Sequence, residues 1–283
     1  MPGSVPGKVV FDTTIYYKDV GRIRRWLDGN GYEAYFTPNN ALELLTPEKE
    51  LSGPDFEKRR QAVCNLLALT DDGARELPDT ELLHASRLGY QAIPSGAWAE
   101  AARRFAALSS ATPEPLAAAG LNLQPALDAI TAAYGSFRQK VCTCQEVYRR
   151  FWQDHKSAFK EQGITYAVVY DVATVKELVK AIGIQEDIMA GHIDRICTVA
   201  RELKLGGALV EPSSYEQAVG VYCRVYRAYI EYAVSTSKVD KNDFGDLQFF
   251  AYCDAGFRLV SSEQRWETIS TQEGLDAYLV HLV

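Results

Sequence analysis

Hydrophobic and polar positions divide the chain into two kinds of segment. The apolar run Val9-Val10-Phe11, bounded by Lys8 and Asp12, predicts a buried strand. Ile23, Trp26 and Leu27 then return at helical spacing and stop at Gly29-Asn30-Gly31, a strong helix-ending signal. Tyr32–Thr37 predicts a second strand. Pro38-Asn39-Asn40 opens a helix through Leu42, Glu43 and Leu44, with proline suited to the first turn. Strand, helix, strand, helix is the opening of a parallel α/β sheet.

From Phe56 the pattern changes. Phe56–Leu69 predicts an amphipathic helix and Thr70–Pro78 a loop. Stretches rich in Ala, Leu, Arg and Glu follow at Trp98–Leu108, Leu116–Tyr134, Phe137–Gln162, Thr174–Ile182 and Ile188–Leu205, all expected to be helical. Tyr166–Tyr170 is β-prone but isolated, and its state stays open. Tyr215, Val219, Tyr222, Tyr226, Tyr229 and Ala233 recur at the spacing of one buried stripe on a helix. Core packing is the expected use of this tyrosine row, because a base-stacking surface needs exposed rings amid positive charge. A loop at Ser235–Lys241, a helix from Asn242, a strand at Phe257–Val260 and a short strand–helix pair complete the chain.

Composition adds bounds. The 283 residues are 47% hydrophobic and 24% charged, ordinary for a soluble globular protein with a sizeable core. The formal charge of −7 argues against non-specific coating of nucleic acid, though an acidic metal site with local basic patches gives the same total. No apolar run is long enough to span a bilayer, and Met1–Lys8 lacks the layout of a secretory signal, so no membrane and a cytoplasmic location are expected. The six cysteines are then expected to be reduced thiols.

Familiar nucleotide and nucleophile signatures do not occur. There is no Gly-x-x-x-x-Gly-Lys-Ser/Thr loop and no Gly-x-Ser-x-Gly elbow. The four histidines are scattered along the chain, without His-Glu-x-x-His. What stands out instead is acid at the edges of elements: Asp12 after the first strand, Glu43 within an apolar helix, Asp243 and Asp246 three apart, and Glu263 after the last apolar run. Acids at the carboxyl ends of parallel strands can hold divalent cations. Capping, salt bridges and helix-start preference are the alternative uses of these acids.

Three segments together resemble the PIN-domain nucleases: Val9-Val10-Phe11-Asp12-Thr13-Thr14-Ile15; Pro38-Asn39-Asn40-Ala41-Leu42-Glu43-Leu44; and Asn242-Asp243-Phe244-Gly245-Asp246 followed by Gly256-Phe257-Arg258-Leu259-Val260-Ser261-Ser262-Glu263. They look like that family's opening strand with its leading aspartate, its early helix with a glutamate, and its acidic helix before a final strand. The match covers the two ends of the chain. One departure is Glu263, where the family carries aspartate.

The resemblance implies an α/β fold with a PIN-like central parallel sheet flanked by helices, formed by residues 1–95 and 236–283, and a large all-α insertion over 96–235. It implies a ribonuclease dependent on Mg²⁺ or Mn²⁺, acting on single-stranded RNA in defence, toxin or RNA-processing contexts. Asp12, Glu43, Asp246 and Glu263 would bind metal, and Asp243 would assist catalysis. Thr13, Arg22, Lys241, Ser261 and Arg265 are candidates for contacting substrate or supporting the ligands. A protein partner or inhibitor and a homo-oligomer belong to the same expectation. The alternative is a degenerate PIN fold serving as a non-catalytic binding or scaffold module.

Overall fold

The structure, a computed structural model, describes residues 7–45, 53–91, 96–108, 124–163, 183–206, 215–236 and 241–282. Strand β1 (Gly7–Phe11) is followed by a 3-10 turn over Thr13–Tyr17 and helix α1 (Val20–Asn30). Asp19 caps α1 by accepting the Arg22 N–H at 2.8 Å, and Gly31 ends it in the left-handed conformation at φ 64°. Strand β2 (Tyr32–Tyr35) and helices α2 (Pro38–Leu45) and α3 (Gly53–Leu69) follow. Then come α4 (Thr80–Arg87), α5 (Ala97–Ala106), α6 (Gln124–Glu161), α7 (Ile184–Glu202), α8 (Tyr215–Thr236) and α9 (Lys241–Phe249). A 3-10 turn over Phe250–Ala255 leads into β3 (Arg258–Ser261), helix α10 (Gln264–Gln272) and β4 (Leu279–His281).

These elements make a mixed α/β protein. Its four-stranded sheet has the order β2-β1-β3-β4 and every pairing is parallel. Both chain ends therefore build one sheet. Successive residues of β1 point to opposite faces, and each face is covered: Val10 joins one apolar cluster while Val9 and Phe11 join the other. All three are fully buried, each stabilising the fold by about 1.5–3 kcal/mol.

The helical middle packs into the same two clusters. Ala99, Ala102 and Phe105 of α5 share one with Val9 and Phe11. On the other side the predicted tyrosine stripe is core: Val219, Tyr222, Tyr226, Tyr229 and Ala233 are buried. Phe137 of α6 lies 5.4 Å from the rings of Tyr226 and Tyr229 and 5.6 Å from Phe244 of α9, centroid to centroid.

Three local expectations change. The chain closes as helix then strand, the reverse of the expected strand–helix pair, because three residues of half-buried β4 carry too little periodicity to reveal a strand. The sequence predicts separate helices over Leu116–Tyr134 and Phe137–Gln162. Gln124–Glu161 is one helix, since the lone Gly135 costs about 1 kcal/mol in a helix interior, less than burying Phe137 supplies. Helix α4 was not anticipated, although Asp79 caps it by accepting the Leu82 N–H at 2.9 Å. Tyr166–Tyr170 and Thr174–Ile182 lie outside the described residues. Among the described residues, no helix is long and apolar enough to cross a membrane.

Candidate functional site

The sheet reverses direction of growth between β1 and β3, since β2 lies on one side of β1 and β3 on the other. Ligands of open α/β sheets bind outside the strand carboxyl ends at such a switch point. Phe11 pairs with Val260, so the next residues along the two strands, Asp12 and Ser261, stand side by side there. The Ser261 hydroxyl donates to Asp12 Oδ2 at 2.9 Å and accepts the Glu263 N–H at 3.1 Å. Asp12 Oδ1 accepts the Thr14 N–H at 3.0 Å and its hydroxyl at 3.1 Å. Asp12 is thus a turn cap and a buried acid at once.

Helix α2 is tied to the same strand end. Thr37 and Asn40 cap it reciprocally: Asn40 Oδ1 accepts the Thr37 N–H at 3.0 Å, and Thr37 Oγ1 accepts the Asn40 N–H at 3.2 Å. The Asn40 amide then donates to the Phe11 carbonyl at 2.9 Å and to Thr13 Oγ1 at 3.1 Å. One turn further, Glu43 hydrogen-bonds Thr13, while Arg59 of α3 donates to the Glu43 carbonyl at 2.6 Å.

Helix α9 approaches from the opposite side. The Asn39 amide donates to the Gly245 carbonyl at 3.4 Å, and a Cβ on Gly245 would lie 3.0 Å from Glu43 Oε1. Glycine permits this close approach of helix to carboxylate. Asp243 and Asp246 project from α9 toward Arg265 at the start of α10, and the guanidinium binds both, at 3.2 Å in the case of Asp246. Arg265 also pairs with Glu263, lies 4.8 Å from the Trp266 ring centroid, and Tyr229 donates its hydroxyl to Asp243. The two like charges on one helix face are therefore bridged by a cation, as their spacing requires.

One guanidinium does not balance these acids. Burial raises the Asp246 pKa to about 9, and the negative fields of Asp12, Glu43 and Glu263 add to it against the opposing charge of Arg265. Burial likewise raises Glu43 to about 7, opposed by its hydrogen bond from Thr13 and reinforced by Asp12. Asp12, Glu43, Asp246 and Glu263 thus share one electrostatic neighbourhood. Their oxygen-only donor set and surplus negative charge suit a hard divalent cation. Among the described residues, however, no three His, Cys, Asp or Glu side chains sit together at metal-ligand spacing. Arg265 supplies the positive charge among Asp243, Asp246 and Glu263 instead.

Of the residues expected to contact substrate, Thr13 and Ser261 are buried and hold the acids. Arg265 is engaged by carboxylates. Arg22 is exposed on α1, and Lys241 begins α9, its side chain outside the described set. The sequence assigns no site role to Asn40, Arg59 or Tyr229, the last of which it places in the buried stripe. Only Asn40 had a signal, the Thr37-x-x-Asn40 cap; the other two act through tertiary contacts. Comparison of the chain with protein-family models, with curated proteins and with solved structures finds no match in any of the three.

Proposed function

We propose that the protein is a PIN-like ribonuclease that hydrolyses phosphodiester bonds of single-stranded RNA with Mg²⁺ or Mn²⁺. The observation that carries this reading is that Asp12 and Glu263 from opposite chain ends share one electrostatic neighbourhood at the sheet's switch point with Glu43 and Asp246, whose carboxyls are raised to about 7 and about 9 by burial first and by the surrounding negative charge in addition. Asp12, Glu43, Asp246 and Glu263 would hold the cation. When bound, a divalent ion supplies a lowered pKa for attacking water and charge neutralisation on the phosphate.

The chain's own residues have distinct tasks. Ser261 fixes Asp12 Oδ2 and the backbone of Glu263, which keeps two acids in one orientation. Thr13 and Asn40 hold Glu43 against the end of β1. Arg265 restrains Asp243, Asp246 and Glu263, and on rotating away it releases them and presents its guanidinium to a phosphate.

A second reading is a degenerate, non-catalytic module in which Arg265 is the permanent counter-ion. The three carboxylates gathered on that one side chain favour it. The deciding experiment incubates purified protein with labelled single-stranded RNA and Mn²⁺. The nuclease reading expects cleavage that EDTA stops and Asp12→Asn abolishes. Cleavage surviving both removes the acid cluster from the reaction, and no cleavage by the wild type favours the scaffold.

A further inference from the structure

A cavity of about 270 Å³ is walled in part by α2 and α9. The same two helices wall both sites. Asn39 and Leu42 face the cavity while Glu43 serves the acids, and Phe244 and Gln248 face it while Asp243 and Asp246 serve the acids. Trp98 and Tyr222 add aromatic surface, Asp79 and Glu81 add carboxylates, and His192 and Arg195 of α7 complete the lining.

His192 is held by a buried chain of polar groups. Asp254 accepts the N–H groups of Val221 and Tyr222 at 2.8 and 3.1 Å, one on each carboxylate oxygen. His84 Nε2 lies 3.4 Å from Asp254 Oδ2, too poorly aligned for a hydrogen bond but close enough to favour the proton on that nitrogen. His84 Nδ1 then accepts, so the 2.7 Å contact to His192 Nε2 places the His192 proton on Nε2. Burial holds His192 neutral. Its Nδ1 is left as a hydrogen-bond acceptor with no partner among the described residues, on a ring that lines the cavity.

The cavity therefore combines aromatic rings, from Trp98 and Tyr222, with acceptors at Asp79 and His192. Arg195 pairs through Nε with Glu81 at 2.7 Å and adds a positive charge to the lining. Asp79 and His192 remain to receive donors. Such a lining fits a planar heterocycle bearing an amino group. We propose that the cavity binds one amino-bearing nucleobase (adenine, cytosine or guanine) of the RNA whose backbone is attacked at the acid cluster, with His192 as the residue that reads the amino group. The base identity rests on the RNA reading; the hydrogen-bond argument does not.

The test is titration calorimetry in EDTA with adenosine, cytidine, guanosine and uridine, so that neither metal nor cleavage is needed. At least one amino-bearing nucleoside is expected to bind about tenfold or more tightly than uridine, because the N3–H of uracil is flanked by two carbonyl oxygens that would face the acceptors Asp79 and His192, whereas an amino group offers them two donors. His192→Phe keeps a ring in place but removes the acceptor, and is expected to weaken binding about tenfold while Asp12→Asn leaves it unchanged. Should His192→Phe not fold, Trp98→Ala takes its place, with the same expected loss. No binding by any nucleoside, uridine binding as well as the others, unchanged binding in the folded cavity variant, or loss in Asp12→Asn would each overturn the proposal. RNA cleavage without nucleoside binding removes the cavity assignment and leaves the nuclease; nucleoside binding without cleavage does the reverse.

Discussion

Ser261 donates its hydroxyl to Asp12 Oδ2 at 2.9 Å, joining residues 249 positions apart at neighbouring ends of two parallel strands. Ser261 Oγ also accepts the Glu263 N–H, so one buried side chain sets two acids. Ser261→Ala leaves both partners unsatisfied, which costs about 1–3 kcal/mol for a buried group. Urea denaturation should show a loss in that range, and an unchanged midpoint would mean that water replaces the hydroxyl.

Asp246 and Glu43 titrate high, at about 9 and about 7. Their unfolded values lie near 4. Between those limits the native chain holds protons that the unfolded chain has released, so their contribution to stability falls as pH rises. Asp246→Asn mimics the protonated acid at every pH. Without divalent cations, that variant is expected to melt about 3 °C or more above the wild type at pH 8, with the gap closing toward pH 4. Differential scanning calorimetry across this range checks the sign; a variant less stable at pH 8 contradicts it.

Arg265 is about one-fifth exposed and binds Asp243, Asp246 and Glu263. Arg265→Gln removes the cation and leaves the acids facing one another. A fully buried pair broken this way costs about 3–5 kcal/mol, and partial exposure reduces that to roughly 2–3. If the cluster takes a divalent ion, Mn²⁺ recovers part of the lost melting temperature by mass action. No recovery, in a variant that still folds, favours the scaffold reading.

Gly245→Ala probes the contact between α9 and α2. The new methyl would meet Glu43 Oε1 at 3.0 Å, against a helix-propensity gain of about 1 kcal/mol. Stability is expected to stay within about 1 kcal/mol of the wild type, whereas the Mn²⁺-induced rise in melting temperature shrinks. An undiminished Mn²⁺ response would place the cation away from Glu43.

The histidines show where linear reading stops. His84 and His192 read as scattered, yet their rings are joined at 2.7 Å across 108 positions. Nothing local marks such a pair, because each sits in a helix whose pattern is satisfied by its apolar neighbours. Arg265 is similar: its charge is visible in the chain, but that it binds three carboxylates depends on where α9 meets α10.

Local chemistry alone determined β1, the Gly31 stop of α1, the start of α2 and the buried tyrosine stripe of α8, since periodicity, caps and turn residues act over a few positions. The tertiary structure decided the strand order, the join of Asp12 to Ser261, the close pass of Gly245 by Glu43, and the cavity walled in part by α2 and α9. Those depend on packing between segments far apart in sequence, where burial on both sheet faces selects the partner and no local pattern encodes it.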